Sequence, residues 1–119
     1  MVAILKAHKD NILIIENPES HLHPKAQSII GKMAAYAAQT GVHLFIETHS
    51  DHVLNGIRVA VKNEKLSKEN LKIFYFDRVL NSTEQYSNIE EIRIDKNGEL
   101  SSYPKGFLDE WNEQLMKLI

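Results

Sequence analysis

The sequence predicts an α/β fold in which helices flank a parallel sheet and a β-hairpin and a helix follow. The first half alternates short apolar runs with stretches of helical periodicity. An order of strand, helix, strand, helix favours parallel pairing with right-handed crossovers. The second half places alternating apolar and charged residues beside a Lys-Asn-Gly turn, which is typical of an antiparallel hairpin.

The first strand and helix are predicted from a compact apolar run and the periodic stretch that follows it. Residues 11–16 (NILIIE) form a near-continuous apolar run, which is typical of a parallel strand covered on both faces. Pro24 suits the first turn of a helix and Gly41 suits the position just past its end. The apolar residues of this helix recur at helical spacing over about four turns: Ala26, Ile29, Ile30, Met33 and Ala37.

The second strand and helix repeat this arrangement. Residues 42–47 (VHLFIE) are predicted to form a second buried strand, and Ser50 is predicted to cap the helix that follows. One face of that helix is apolar: Val53, Leu54, Ile57 and Val61. Residues 71–77 (LKIFYFD), rich in aromatic and β-branched residues, are predicted to form a third strand.

The C-terminal part is predicted to be an antiparallel appendage to the same domain. Residues 84–95 are expected to pair with residues 99–103 across the turn at 96–98. A helical apolar stripe then runs to the C-terminus: Phe107, Leu108, Trp111, Leu115 and Leu118. We therefore divide the chain into an α/β core, residues 1–80, and the appended hairpin and helix, residues 81–119.

Composition excludes several classes of protein. No window approaches the about 20 apolar residues that a membrane span requires, so we expect no membrane association. The chain has no cysteine, which fits a cytoplasmic location. A net charge of −2 argues against a dominant nucleic-acid-binding surface. The lysines between residues 62 and 72 are interspersed with glutamates, which indicates a solvated face and leaves nucleic-acid binding unsupported.

Two polar clusters follow the first two predicted strands directly. The first lies in residues 14–24 (IIENPESHLHP) and the second in residues 47–58 (ETHSDHVLNGIR). Each alone reads as an ordinary loop that caps the next helix, with His49 as a satisfied polar group. Because one helical crossover separates the two strands, both clusters should lie at the same rim of the sheet, where ligands bind in such folds.

Together the two motifs resemble segments of ABC-type ATPases of the RecF and SMC-like kind. Residues 14–24 are similar to the Walker B strand and D-loop of that family, and residues 47–52 (ETHSDH) resemble its H-loop. Residues 103–109 (YPKGFLD) resemble the end of a bacterial group of predicted AAA/ABC ATPases whose C-terminal region is of unknown function. The resemblance covers nearly the whole chain and implies the C-terminal part of a P-loop NTPase fold.

The resemblance also implies a role for each motif residue. Glu16 takes the Walker B position and would hold Mg²⁺, through water as this hard cation prefers. Asn17 stands where many relatives carry the glutamate that polarises the attacking water, so catalysis relies on Asn17 with help from Glu19, or hydrolysis is slow. His49 would contact the γ-phosphate. The D-loop residues would face a second subunit across the nucleotide: Ser20, His21 and His23.

A phosphate-binding Walker A motif is absent from the sequence. Gly31 and Lys32 fall inside the first predicted helix, without the glycine-rich loop that would wrap a phosphate. ATP and Mg²⁺ are therefore expected as cofactors of a complete protein, and tight binding is not expected here. The implied partners are a missing N-terminal ATPase half and a second head in a homodimer around ATP. With the Walker A strand absent, the second and third strands should pair directly, or a partner should fill the gap.

Two other classes of function compete with the ATPase interpretation. A metal-dependent hydrolase would use His21, His23 and His49, together with the Asp51-His52 pair, as zinc ligands. A protein-interaction module would dock a partner through the C-terminal hairpin and helix, although core packing explains the same apolar stripe.

Overall fold

The computed structural model describes residues 2–104 and 110–119. Its helices are α1 (Val2–Lys6), α2 (Pro24–Gln39), α3 (Asp51–Lys62) and α4 (Glu110–Leu118). Its strands are β1 (Ile12–Glu16), β2 (His43–Glu47), β3 (Ile73–Leu80) and β4 (Gln85–Ile92), and a short 3₁₀ turn, Lys68–Asn70, precedes β3. The result is a mixed α/β fold with a small parallel sheet and an antiparallel hairpin.

The parallel sheet confirms the predicted strand, helix, strand order. β1 and β2 pair in parallel, with Ile12 opposite His43 at one end and Glu16 opposite Glu47 at the other. The crossover between them is α2, which begins at Pro24 as predicted. Gly41 follows the helix with φ +102°, a conformation that glycine adopts without strain. The strands and their connection therefore form as the local sequence predicts.

The two long helices begin at residues that cap them. Ser50 accepts a hydrogen bond at Oγ from the Val53 amide, which confirms the predicted cap of α3. His23 caps α2 by accepting at Nδ1 from the Lys25 amide at 3.3 Å. α2 and α3 pack closely against each other and bury Ala34 and Val53. Gly31 and Lys32 lie within α2.

The sheet is covered less completely than the apolar runs predict. The prediction of strands buried on both faces is wrong for the described residues, since Ile14 is 76% exposed and Phe45 is 64% exposed. Alternate residues of β1 and β2 are half-buried, so one face is partly covered and the other faces solvent. The physical reason is that the described residues supply only two strands to this sheet, with no further strand at either edge.

The third strand does not join the parallel sheet. β3 pairs antiparallel with β4, with Ile73 opposite Ile92 and Leu80 opposite Gln85, so the predicted direct pairing of the second and third strands is wrong. The turn at Asn81 explains this hairpin. Its side-chain Oδ1 accepts hydrogen bonds from the backbone of Thr83 and Glu84, an Asx turn that reverses the chain locally. The predicted division at residue 80 falls in this turn and stays a prediction.

The predicted hairpin across residues 96–98 is only a tight turn. The turn around Gly98 forms as predicted, and Gly98 has φ +78°. Beyond it, Ile94 and Leu100 make a single antiparallel bridge. Extended pairing of residues 84–95 with residues 99–103 is therefore wrong, because β4 pairs with β3 instead.

One hydrophobic core unites helices α2 and α3 with the C-terminal half. Its helical members include Ala35 and Leu54, and its most buried residue from the hairpin is Ile92. The remaining buried members are Ala60, Val61, Leu66, Ile94 and Leu100.

The end of the chain is described in part. The helix α4 agrees with the later part of the predicted C-terminal stripe, and Leu115 and Leu118 are exposed on it. Residues 105–109, with Phe107 and Leu108, lie outside the described residues, as does the side chain of Trp111. Along the described parts of the chain, the helices are too short or too polar to cross a membrane.

Candidate functional site

The carboxyl ends of β1 and β2 bring the two polar clusters together. Glu16 and Glu47 are the last paired residues of the sheet. One residue further, the Asn17 amide donates to the Glu47 carbonyl oxygen at 2.8 Å. The loop between β1 and α2 and the loop between β2 and α3 therefore leave the sheet side by side, as the parallel topology predicts.

The first loop contains two residues in the left-handed backbone conformation. Asn17 has φ +48° and His21 has φ +62°. Non-glycine residues seldom adopt this conformation, although asparagine tolerates it better than most. An asparagine at position 17 is thus favoured by the backbone, apart from any role in chemistry.

Glu19 joins the first loop to the second. Its Oε2 accepts a hydrogen bond from the Thr48 hydroxyl at 2.8 Å, and its Oε1 accepts one from the His49 amide at 2.9 Å. Thr48 also accepts at Oγ1 from the Ser50 amide at 3.0 Å. One carboxylate therefore holds the backbone from which the His49 side chain extends.

The pKa of the Glu19 carboxyl reflects these contacts. Partial burial raises it, but the hydrogen bonds from the His49 amide and the Thr48 hydroxyl lower it more, with a smaller contribution from the His49 charge. The net pKa lies below the ordinary value. Glu19 is therefore a carboxylate at neutral pH and a weak base.

A second connection links α2 to the same loop. The Ser50 hydroxyl donates to Oε1 of Gln27, whose Nε2 donates to the Leu22 carbonyl oxygen at 2.9 Å. These contacts border an open cleft of about 350 Å³. Its lining consists of Glu19, Gln27, His49, Ser50, Asp51 and His52.

Of the residues to which the resemblance assigns a role, Glu19 and His49 line this cleft, beside Ser50 and the Asp51-His52 pair. Glu16 and Asn17 lie at the exposed end of β1, outside the cleft lining. The D-loop candidates are all exposed in the connection to α2, where His23 also caps the helix: Ser20, His21 and His23.

A metal site of three histidines is not assembled in the described structure. Over residues 2–104 and 110–119, no group of three or more histidine, cysteine, aspartate or glutamate side chains is placed to hold a metal ion. His21, His23 and His49 are therefore not gathered as a zinc site requires. This arrangement gives no support to the metal-dependent hydrolase.

Three residues of the site had no role in the sequence analysis: Thr48, Gln27 and Glu47. Thr48 and Gln27 hold the loops through side-chain hydrogen bonds. Glu47 pairs with Glu16 at the sheet end. The alignment of two strand ends, each terminated by a glutamate, is the signal that points to Glu47. No comparable signal marks Thr48 or Gln27, because the bonds by which they join the two loops, to Glu19 and to Ser50, reach residues more than 20 positions away.

Two family models match the chain, one after the other. Residues 1–55 match a family model described as "AAA domain, putative AbiEii toxin, Type IV TA system". Residues 66–118 match a family described as a protein of unknown function, DUF3696. We call residues 1–55 the AAA-type segment and residues 66–118 the DUF3696 segment after these matches, each of which covers less than half of the chain. No curated protein and no solved structure matches it.

The candidate site lies within the AAA-type segment. Both rim loops and the cleft residues fall inside residues 1–55. The DUF3696 segment begins after α3 and supplies the β3–β4 hairpin, the Gly98 turn and α4. Arg58 of α3, which lies between the two matched ranges, donates from Nε to the Gly98 carbonyl oxygen of the DUF3696 segment at 2.7 Å.

Proposed function

We propose that this chain supplies one rim of the nucleotide site of an ABC-type P-loop ATPase. In the complete protein this rim would act on ATP with Mg²⁺, while the Walker A loop would come from an N-terminal half. One observation carries the proposal: two parallel strands end side by side, and the carboxylate of Glu19 ties together the loops that follow them. Ligand sites of α/β sheets lie at such strand ends.

The chemistry of the rim residues fits this role. Glu16 is an exposed carboxylate at the end of β1, and Mg²⁺ prefers oxygen ligands and retained waters. Asn17 beside it would orient the attacking water through its amide, and Glu19 would support the neighbouring loop. His49 is exposed, and its backbone is held, which suits a group that contacts the γ-phosphate. Phosphoryl transfer depends chiefly on such positioning and charge stabilisation.

The D-loop assignment completes the proposal. Ser20, His21 and His23 are exposed on the first loop, where a second head would contact them across ATP. An N-terminal half would add its strands at the free edges of the β1–β2 sheet and would also cover its open face, where Ile14 and Phe45 are exposed. We propose a homodimer of complete heads as the active assembly.

The test measures ATP hydrolysis with and without a Walker A segment. The isolated chain should show no turnover with Mg²⁺ and ATP. Adding an N-terminal polypeptide that carries a Walker A motif should restore turnover, and His49→Ala should lower it at least 100-fold, on the order of one lost transition-state contact. His43→Ala, an exposed histidine at the opposite end of β2, is the matched control and should keep full activity. Robust turnover by the isolated chain would refute the proposal.

A further inference from the structure

We infer that Glu19 is a positioning residue, which latches the loop that carries His49, and that it does not accept the proton of the attacking water. We call the hydrogen bonds from Thr48 and His49 to the Glu19 carboxylate the latch. The role in turnover rests on the proposed ATPase function. The latch itself is a property of this chain and is tested without nucleotide.

The latch spans the two loops at the point where they leave the sheet. Glu19 follows β1, whereas Thr48 and His49 follow β2 directly, and the bonded atoms belong to residues 29 and 30 positions apart. One of the two donors is the backbone amide of His49. Because that bond fixes the main chain, it restricts where the imidazole can point.

The latch also sets the start of α3. Thr48 donates its hydroxyl proton to Glu19 and accepts the Ser50 amide at the same oxygen. Ser50 in turn caps α3 through the Val53 amide at 3.1 Å. A continuous series of hydrogen bonds therefore runs from the Glu19 carboxylate to the first turn of the helix. Such a series orients His49 between two fixed points, the latch and the capped helix.

The geometry does not suit a proton acceptor. Each carboxylate oxygen already accepts a hydrogen bond from the neighbouring loop. A general base works best when its pKa lies near the working pH, whereas these bonds lower the pKa of Glu19. The carboxylate is therefore oriented toward the loop and is weakly basic.

The first test compares Glu19→Gln with Glu19→Ala by amide hydrogen exchange in the isolated chain. Glutamine can accept the His49 amide at its oxygen and donate its amide to the Thr48 oxygen, so it keeps the latch without the charge. We expect the exchange rate of the His49 amide to rise at least tenfold in Glu19→Ala and to stay within about threefold of wild type in Glu19→Gln, as the loss of one charge-assisted hydrogen bond implies. Unchanged exchange in Glu19→Ala would overturn the latch.

A second variant removes the other side of the latch. Thr48→Val has nearly the same shape as threonine but lacks the hydroxyl, so the Ser50 amide should lose its acceptor and exchange faster. The connection through Gln27 remains in every variant, so the loop should stay folded and the circular dichroism spectrum should not change. An unchanged exchange rate of the Ser50 amide in Thr48→Val would contradict the series of hydrogen bonds.

The last arm measures turnover after the Walker A polypeptide is added. Positioning predicts that Glu19→Gln keeps kcat within about threefold of wild type while Glu19→Ala lowers it, because Gln preserves the geometry. A proton acceptor contributes about 10²- to 10⁴-fold, so a kcat loss of that size in Glu19→Gln would overturn the inference. If the wild-type mixture has no activity, the proposed ATPase function fails, while the exchange measurements still decide the latch.

Discussion

Gly31 of α2 and Gly56 of α3 lie against each other where the two helices cross. A Cβ atom built on Gly31 would lie 2.1 Å from the Val53 carbonyl oxygen, and one built on Gly56 would lie 2.2 Å from the Ser28 carbonyl oxygen. Each clash is with backbone, which cannot swing aside as the end of a side chain can. The absence of both side chains therefore allows the close packing of the helices that follow the two rim loops.

Gly31→Ala and Gly56→Ala should each destabilise the fold. The gain in helix propensity favours alanine by about 1 kcal/mol, but the helices must separate to admit the methyl group, and overpacking costs about 1–3 kcal/mol or more. We expect a net loss of about 1–2 kcal/mol in the free energy of unfolding, measured in urea. Lys62→Ala, on an exposed position of α3, is the control and should change it by less than about 0.5 kcal/mol. If the two glycine variants and Lys62→Ala changed the free energy of unfolding equally, the packing argument would be contradicted.

Arg58 connects α3 to the Gly98 turn. Its side chain is 20% exposed, and it donates to the Gly98 carbonyl oxygen, to Asn55 at 3.0 Å and to the Tyr103 hydroxyl at 3.2 Å. Arg58→Ala should cost about 1.5–3 kcal/mol of unfolding free energy, since it removes hydrogen bonds from a charged group. Arg58→Lys should recover little, because an ammonium lacks the planar fork.

The control for Arg58 is Arg78→Ala on the exposed β3–β4 hairpin, where Arg78 contacts Gln85. We expect a change within about 0.5 kcal/mol there. Hydrogen exchange adds a local measurement: the Asp95 amide, bonded to the Glu99 carbonyl at 2.9 Å, should lose protection in Arg58→Ala and keep it in Arg78→Ala.

Asn17→Glu should destabilise the isolated chain. The left-handed backbone at φ +48° favours asparagine over glutamate, and the strain costs about 1 kcal/mol. Asn17→Gly should be tolerated. Ser87→Glu, at an exposed position of β4 opposite Arg78, is the control and should have little effect. A chain that Asn17→Glu leaves equally stable in urea would show that the backbone does not select asparagine.

The free energy of unfolding should fall on acidification, partly because of Glu19. Its pKa is lowered in the folded state, so its contribution is present above the pKa of the unfolded chain and disappears as the pH falls through the folded pKa. Urea unfolding between about pH 6 and about pH 3, a range that brackets the ordinary glutamate pKa, should therefore show a smaller loss in Glu19→Gln than in wild type.

Glu91→Gln, exposed on β4, should keep the wild-type pH dependence. The loss of unfolding free energy on acidification should be smaller in Glu19→Gln than in wild type, but it should not disappear. Glu69 remains, and a hydrogen bond from the Ser67 hydroxyl lowers its pKa as well. If wild type and Glu19→Gln lost the same unfolding free energy on acidification, the contribution assigned to Glu19 would be contradicted.

Local sequence determined much of the first half of the fold. The apolar run before Glu16, the Pro24 start and the Ser50 cap are short-range signals, and each element they predict is present. The partner of β3 was not predictable in this way. Asn81 begins its turn without glycine, and strand pairing depends on contacts that the periodicity of one segment does not encode.

The candidate site, too, is predictable from the sequence only in part. Parallel topology predicts that the loops after β1 and β2 meet, and they do. The bond between Glu19 and Thr48 depends on the side-chain conformations of distant residues, which spacing alone does not fix. The sequence does not predict the contact between Gly31 and Gly56 either. From the sequence alone, Gly31 is only an isolated glycine within a predicted helix.

The shared core has a consequence for how this chain can change over evolutionary time. Leu54 and Ala35 of the AAA-type segment pack in one cluster with Ile92 and Leu100 of the DUF3696 segment. A recombination event that exchanged one segment alone would leave the other with a mismatched apolar surface. The two segments should therefore be inherited as a pair, with a change of volume on one side matched by a compensating change on the other.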